Sequence, residues 1–174
     1  MASEQKGHKW FAAYWDRMVK LEPRSMQKLR DHTVAGLSGR ILEVGVGTGG
    51  NFHRYPPDVT QLVATEPDPY MLERARKHAA ELSCSVELHQ APAEELPFED
   101  GSFDAVVSIL VLCSVSNQAQ ALSVIRRVLK PGGQLLLTSP SIPHVRARLS
   151  NLLVENDSWR RMPPSLVDAV WVTD

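Results

Sequence analysis

The sequence is short of cysteine, of any excess of one charge, and of long apolar runs, and each shortage excludes a class of protein. Two cysteines, Cys84 and Cys113, in 174 residues are too few for a disulfide framework and suit a reducing, cytoplasmic compartment. Nineteen basic side chains stand against twenty acidic ones, so no general electrostatic pull towards nucleic acid is expected. The longest apolar run, Ala105 to Val115, is too short to span a bilayer and reads as a buried strand. The polar start, MASEQKGHKW, lacks the apolar core of a secretory signal. The six histidines (His8, His32, His53, His78, His89, His144) are scattered, with no CxxC or HxxxH spacing, and no metal is expected. What remains is 43% hydrophobic and 22% charged, the balance of a soluble globular chain the size of one domain.

Two helical segments open the chain. Trp10, Phe11, Tyr14, Trp15 and Met18 share one helix face, and Ser25–Ala35 carries Met26, Leu29 and Val34. From residue 40 the pattern changes. Strands are expected at Arg40–Val44, Gln61–Thr65, Ser85–His89, Phe103–Leu110 and Gln134–Thr138, with helices at Tyr70–Leu82 and Gln118–Leu129 between them. Alternation of this kind predicts an α/β fold: a Rossmann-like, doubly wound, mostly parallel sheet covered on both faces. Lys130-Pro131-Gly132-Gly133 is placed to stop a helix and start strand five. The last 35 residues hold four prolines and no glycine. They allow one amphipathic helix through Val145, Leu149, Leu152, Leu153 and Trp159, and one late strand or helix over Leu166–Val172.

The strongest chemical signal is Ile41-Leu42-Glu43-Val44-Gly45-Val46-Gly47-Thr48-Gly49-Gly50, between a strand and the next crossover. Open α/β sheets bind ligands there, and glycine lets backbone approach a ligand closely. Gly45, Gly47 and Gly50 also satisfy a GxGxxG spacing, so a dinucleotide site must be considered. Glu43 stands two residues before the first glycine, where a carboxylate can face a cationic group. Glu66 ends strand two, where a ribose-binding acid belongs in a nucleotide-binding α/β fold.

Glu43-x-Gly45-x-Gly47-x-Gly49, Glu66, Leu96-Pro97-Phe98 before Gly101-Ser102-Phe103-Asp104, and Arg127-Val128-Leu129-Lys130-Pro131-Gly132-Gly133 together resemble a class I S-adenosylmethionine-dependent methyltransferase. Tyr14-Trp15-Asp16-Arg17, Gly50-Asn51-Phe52, Glu66-Pro67-Asp68-Pro69 and Leu110–Val115 are similar to the methyltransferase type 11 branch that includes thiol methyltransferases. The resemblance implies S-adenosyl-L-methionine as cofactor, wrapped at its methionine end by Glu43, Gly45, Val46, Gly47, Gly49 and Asn51. It implies Glu66 on the ribose hydroxyls, Pro67 beside the adenine, and Ser108 and Leu110 near the sulfonium. Where many relatives carry an adenine-binding Asp this chain has Pro92, which leaves the backbone of Ala93 or the side chain of Glu94 for that task.

The resemblance also implies a single domain: residues 1–38 as N-terminal helices or lid, 39–139 as the cofactor-binding core, and 140–174 as a divergent or truncated end. That end looks too short for the usual seven-stranded sheet. Strand five would then be left as an edge, to be covered by the tail or by a homodimer partner. The expected reaction is methyl transfer to a small, lipophilic acceptor, a thiol ahead of an amine or hydroxyl. A truncated, non-catalytic binding module is the alternative, and the spacing that favours an NAD-dependent oxidoreductase is opposed by every downstream motif. No catalytic residue is assigned, and His144, His53 and Asp16 are the candidate bases. Cys113 reads as a buried, inert thiol, and His78, among Arg74, Arg76 and Lys77, as part of a solvated helix face. The stripe from Trp10 to Trp15 reads as core or lid, with membrane anchoring the minority reading.

Overall fold

A computed structural model describes residues 7–82, 85–138, 159–161 and 169–173, the last two stretches by their backbone. Cys84, His144 and the helix envisaged over Val145–Leu153 lie outside the described residues.

Two helices, α1 (Lys9–Lys20) and α2 (Arg24–Val34), precede the sheet. Strands β1 (Gly39–Val44), β2 (Val59–Thr65), β3 (Val86–His89), β4 (Phe103–Ile109) and β5 (Leu129–Thr138) then alternate with α3 (Pro69–Ala80) and α4 (Gln118–Val128). These five strands pair in parallel in the order β3-β2-β1-β4-β5. Side chains alternate across each strand, so both faces must be covered. Leu42, Val44, Val106 and Leu135 pack on one side with Leu122 and Ile125 of α4. Ile41, Leu62, Val107 and Leu136 pack on the other with Val34 of α2 and Ala75 of α3. Asp68 caps α3 by accepting from the Tyr70 and Met71 N–H groups, with Pro69 opening the helix.

The chain passes from α4 straight into β5, and the glycine turn appears as a bulge. Phe103 pairs with Leu129 but Ala105 pairs with Gln134, so residues 130–133 loop out, with Gly132 at φ 76°. Lys130 Nζ donates to Asp104 Oδ1 at 2.7 Å across it.

The expectation of a sheet missing part of its seven strands is corrected in strand number. β7 (Ala169–Thr173) pairs antiparallel with β5, and β6 (Trp159–Arg161) pairs with β7, completing the order β3-β2-β1-β4-β5-β7-β6. β6 and β7 are both short, three and five residues. Ala-Val-Trp-Val-Thr is rich in β-branched and aromatic residues, which favour a strand. Trp159 belongs to β6 and not to a helix. The edge of β5 is therefore covered within the chain, and the ground given for a homodimer there falls away.

Candidate functional site

A cavity of about 460 Å³ opens at the C-terminal ends of β1, β2 and β4, beneath α1. The glycine loop forms its floor. Gly45 and Val46 N–H both donate to the Thr65 carbonyl at 2.9 Å, and Gly49 N–H donates to the Val46 carbonyl at 3.0 Å. Packing requires glycine at position 45, and a left-handed backbone favours it at position 47. A Cβ on Gly45 would lie 2.5 Å from Val111, and Gly47, at φ 58°, lies under the Trp15 indole, whose Nε1 is 3.5 Å from where a Cβ would stand.

Glu66 ends β2 with its carboxylate in the cavity. Its Oε2 accepts from Gly47 N–H at 2.8 Å and its Oε1 from Asp68 N–H at 3.0 Å. Burial pushes this carboxyl above the usual carboxylate value, against the pull of those two donors. A carboxylate offers about four acceptor positions, so Glu66 keeps capacity for two hydroxyls of a ligand.

Glu43 does not face the cavity, which corrects the expectation that it meets a cation there. It is buried behind the loop, where Oε1 accepts from Asn51 Nδ2 at 2.6 Å and Oε2 from the Tyr55 hydroxyl at 2.8 Å. Burial raises its carboxyl, opposed by those two hydrogen bonds and by Arg30, and holds the Tyr55 phenol well above its usual value. Asn51 carries this order outward: its Oδ1 accepts from Arg30 Nη1 at 3.0 Å. Arg30 is gripped in turn by Glu22, Nε to Oε2 at 2.8 Å and Nη2 to Oε1 at 2.6 Å. Both Arg30 and Asn51 reach the cavity wall. A buried guanidinium with three of its five donors accounted for can still receive an anion.

Among the expected residues, Gly45, Val46, Gly47, Asn51, Glu66, Pro67, Ala93, Glu94 and Leu110 line this one cavity, while Glu43, Gly49 and Ser108 do not. Ser108 is buried at the end of β4 with its Oγ unpartnered. Leu110 follows at φ 63°, a strained conformation for a branched residue, with its N–H on the Thr138 carbonyl at 2.8 Å. Glu94 Oε1 accepts from Ser116 and Asn117 N–H at 2.9 and 3.0 Å, tying the loop after β3 to the loop after β4. Sequence reasoning did not place Arg30, Val19, Met71, Val111 or Cys113–Ser116 at the site. Arg30 carried no signal, because nothing local to α2 distinguishes it from a surface arginine.

Cys113 is exposed and on the cavity wall, correcting the buried reading. The positive φ at Leu110 ends the strand, so Cys113 falls in the turn that follows. His78 is not on a solvated face: its Nδ1 lies 2.7 Å from the Thr48 carbonyl and its Nε2 3.4 Å from Asp16. The aromatic stripe is neither wholly core nor wholly lid. Phe11 and Trp15 line the cavity, and Trp10 and Tyr14 face outward. Of the candidate bases, His53 lines a separate pocket with Arg54, where burial lowers its pKa, and Asp16 faces Lys20, Arg74 and His78. Neither is on the cavity wall. Among the described residues no cluster of three His, Cys, Asp or Glu side chains could hold a metal ion.

Comparison with known proteins gives a concordant picture. Residues 42–137 match the methyltransferase domain family. The chain is 36% identical over 133 residues to human thiol S-methyltransferase TMT1B, covering 68% of this chain and 54% of that one. It is 32% identical over 181 residues to human TMT1A, also a thiol S-methyltransferase, covering 94% and 66%. It is 36% identical over 142 residues to the ubiquinone/menaquinone biosynthesis C-methyltransferase UbiE of Pseudomonas savastanoi, covering 76% and 56%. The chain thus spans between about half and two-thirds of these relatives. In fold it is similar to a Methanococcus maripaludis protein (TM-score 0.77, 19% identity, 100% of this chain and 98% of that one). It is also similar to a SAM-dependent methyltransferase of Aquifex aeolicus (TM-score 0.71, 18% identity, 91% and 95%).

Proposed function

Because this chain belongs to the methyltransferase domain family, we propose that its cavity binds S-adenosyl-L-methionine and that it methylates a small lipophilic acceptor, a thiol first. The observation that carries this reading is the Glu66 carboxylate, held inside the cavity by Gly47 N–H at 2.8 Å with acceptor capacity left over. The fit can be judged on the donor set. Glu66 would take the ribose hydroxyls, Pro67 and the Pro92–Glu94 wall would flank the base, and Arg30 with Asn51 would meet the amino-acid carboxylate. Several loop N–H groups are already spent within the protein, so the guanidinium is the donor left for that carboxylate.

When bound, the sulfonium supplies an electrophilic methyl whose carbon–sulfur bond breaks as the acceptor sulfur bonds to it, leaving a neutral thioether. The protein's share is positioning and exclusion of water. Phe11, Trp15, Val19, Met71, Ile109, Leu110, Val111 and Val115 give the cavity an apolar wall. A thiol of ordinary pKa, about 8.5, loses its proton to water without a strong base. That matches a wall on which neither His53 nor Asp16 stands.

Calorimetry with S-adenosylmethionine, S-adenosylhomocysteine and NAD tests the cofactor. Heat with the first two alone is expected, and heat with NAD alone overturns the reading. A coupled assay for S-adenosylhomocysteine across thiols, amines, phospholipids and quinols then tests the acceptor. Tight cofactor binding with no turnover of any acceptor would favour the non-catalytic module.

A further inference from the structure

Helix α1 turns one face to the cavity and leaves a second, apolar face in water. Trp10 (71% exposed), Tyr14 (54%), Met18 (42%) and Leu21 (68%) recur at spacings of four, four and three, forming one longitudinal stripe. Indole, phenol and aliphatic side chains so exposed on one short helix are what a water–lipid boundary selects.

Charge around the stripe is asymmetric. The anions Asp16 and Glu22 are turned inward, Asp16 to Arg74 and His78 and Glu22 to Arg30. Of the cations, Lys9 and Arg17 of α1, with Arg24 and Lys28 of α2, face solvent, and Lys20 pairs with Asp16 at 3.3 Å. A second copy docked stripe to stripe would bring these cations together, and a single helical stripe is small beside the roughly 800 Å² per partner of a stable interface. Acidic headgroups would instead neutralise them.

The stripe also continues into the cavity. The Trp10 ring meets Phe11 edge-on at 6.0 Å, and Phe11 stacks on Trp15 at 6.1 Å, 29° between planes. Phe11 and Trp15 are both cavity wall. Among the described residues no helix is long and apolar enough to cross a membrane, so the contact this geometry describes lies on a surface.

We infer that the outward face of α1 docks on an anionic phospholipid surface, and that the acceptor enters the cavity from that surface along Trp10, Phe11 and Trp15. The docking stands on α1 alone, and the route rests on the cavity being the methyl-transfer site. The test is sedimentation of the full chain with vesicles of phosphatidylcholine, alone or mixed with phosphatidylglycerol. Wild type is expected to bind the anionic vesicles, less so in high salt, with a blue shift in tryptophan emission. The triple variant Trp10→Ser/Tyr14→Ser/Leu21→Ser should lose binding by about tenfold or more. Lys9→Glu/Arg17→Glu should abolish the preference for phosphatidylglycerol. None of these side chains lines the cavity, so calorimetry with S-adenosylmethionine should be unchanged and serves as the control for folding. Wild type free of both vesicles, or a dimer in analytical ultracentrifugation that the triple variant dissolves, would overturn the docking. For the route, the triple variant should lose turnover of a long-chain alkyl thiol embedded in vesicles and keep that of a short water-soluble thiol. Equal loss on both overturns it. Vesicle binding without any turnover leaves the docking standing and removes the methyl-transfer reading.

Discussion

Burial sets the behaviour of the two acids that flank the glycine loop. On the proposed reading Glu66 accepts the ribose hydroxyls as a carboxylate, and burial holds its carboxyl above the ordinary value. Cofactor affinity is therefore expected to fall as pH drops through a range above the usual carboxylate value, and calorimetry across acid pH reads that loss. Glu66→Ala should weaken binding by roughly 1–3 kcal/mol, the worth of a charged hydrogen bond, and abolish the pH dependence. Glu43 supports Asn51 from behind, at a cost in burial. Since its carboxyl titrates higher in the folded chain than in the unfolded one, the stability drawn from its proton is complete below the ordinary value and is lost as pH rises through the raised one. Glu43→Gln should thus melt above wild type near neutral pH, with the gap closing towards acid. A gap that is flat with pH would mean the hydrogen bonds outweigh burial. Gly47→Val meets both a positive φ and the indole of Trp15, and should abolish cofactor binding while the sheet still folds, as circular dichroism would show.

At the scale of elements, α1 is the part whose meaning changed most. Its inward face closes the cavity, and Asp16 pairs with Arg74 Nη1 at 3.4 Å, with His78 Nε2 3.4 Å from its other oxygen. His78 also holds the glycine loop, its Nδ1 on the Thr48 carbonyl at 2.7 Å. One side chain of α3 thus stands between α1 and the glycine loop. His78→Ala is expected to weaken cofactor binding and to speed proteolytic cleavage within α1. His78→Gln, which can still donate to Thr48, should recover part of the affinity. Unchanged cleavage and affinity in His78→Ala would show that the lid is fastened elsewhere. The elements of the sheet behaved as their patterns imply: central strands apolar on both faces, the edge strand β3 alternating, and helices apolar on one, with caps at Asp68 and Asn117. The passage from α4 into β5 differed because Leu129 still pairs with Phe103, so the glycines form a bulge and the strand begins before them.

In the whole molecule, β7 seals the edge of β5. A chain ending before Trp159 would expose the N–H and C=O groups of that edge and is expected to self-associate more than the full chain, which light scattering of the two would detect. The parallel pairing of the first five strands and the site at their C-terminal ends were legible in the sequence, because apolar runs of strand length separated by helix periods permit few other arrangements. Glu66, the glycine loop and the Ala93–Glu94 wall were legible for the same reason, being fixed by position along a strand or turn. Arg30 and the inward face of α1 were not, since they reach the cavity from helices before the sheet, and α1's apolar stripe reads alike whether it faces core, cavity or water. Cys113 was misplaced because an apolar run does not reveal where a strand yields to a turn, and the φ of Leu110 decides that. The sequence by itself determined the parallel core of the sheet and the acid that follows β2, both consequences of local pattern. Tertiary structure alone decided which side chains share the cavity, that Glu43 stands behind it, and which face of α1 is left uncovered. Those outcomes depend on how distant segments pack, which no local period encodes.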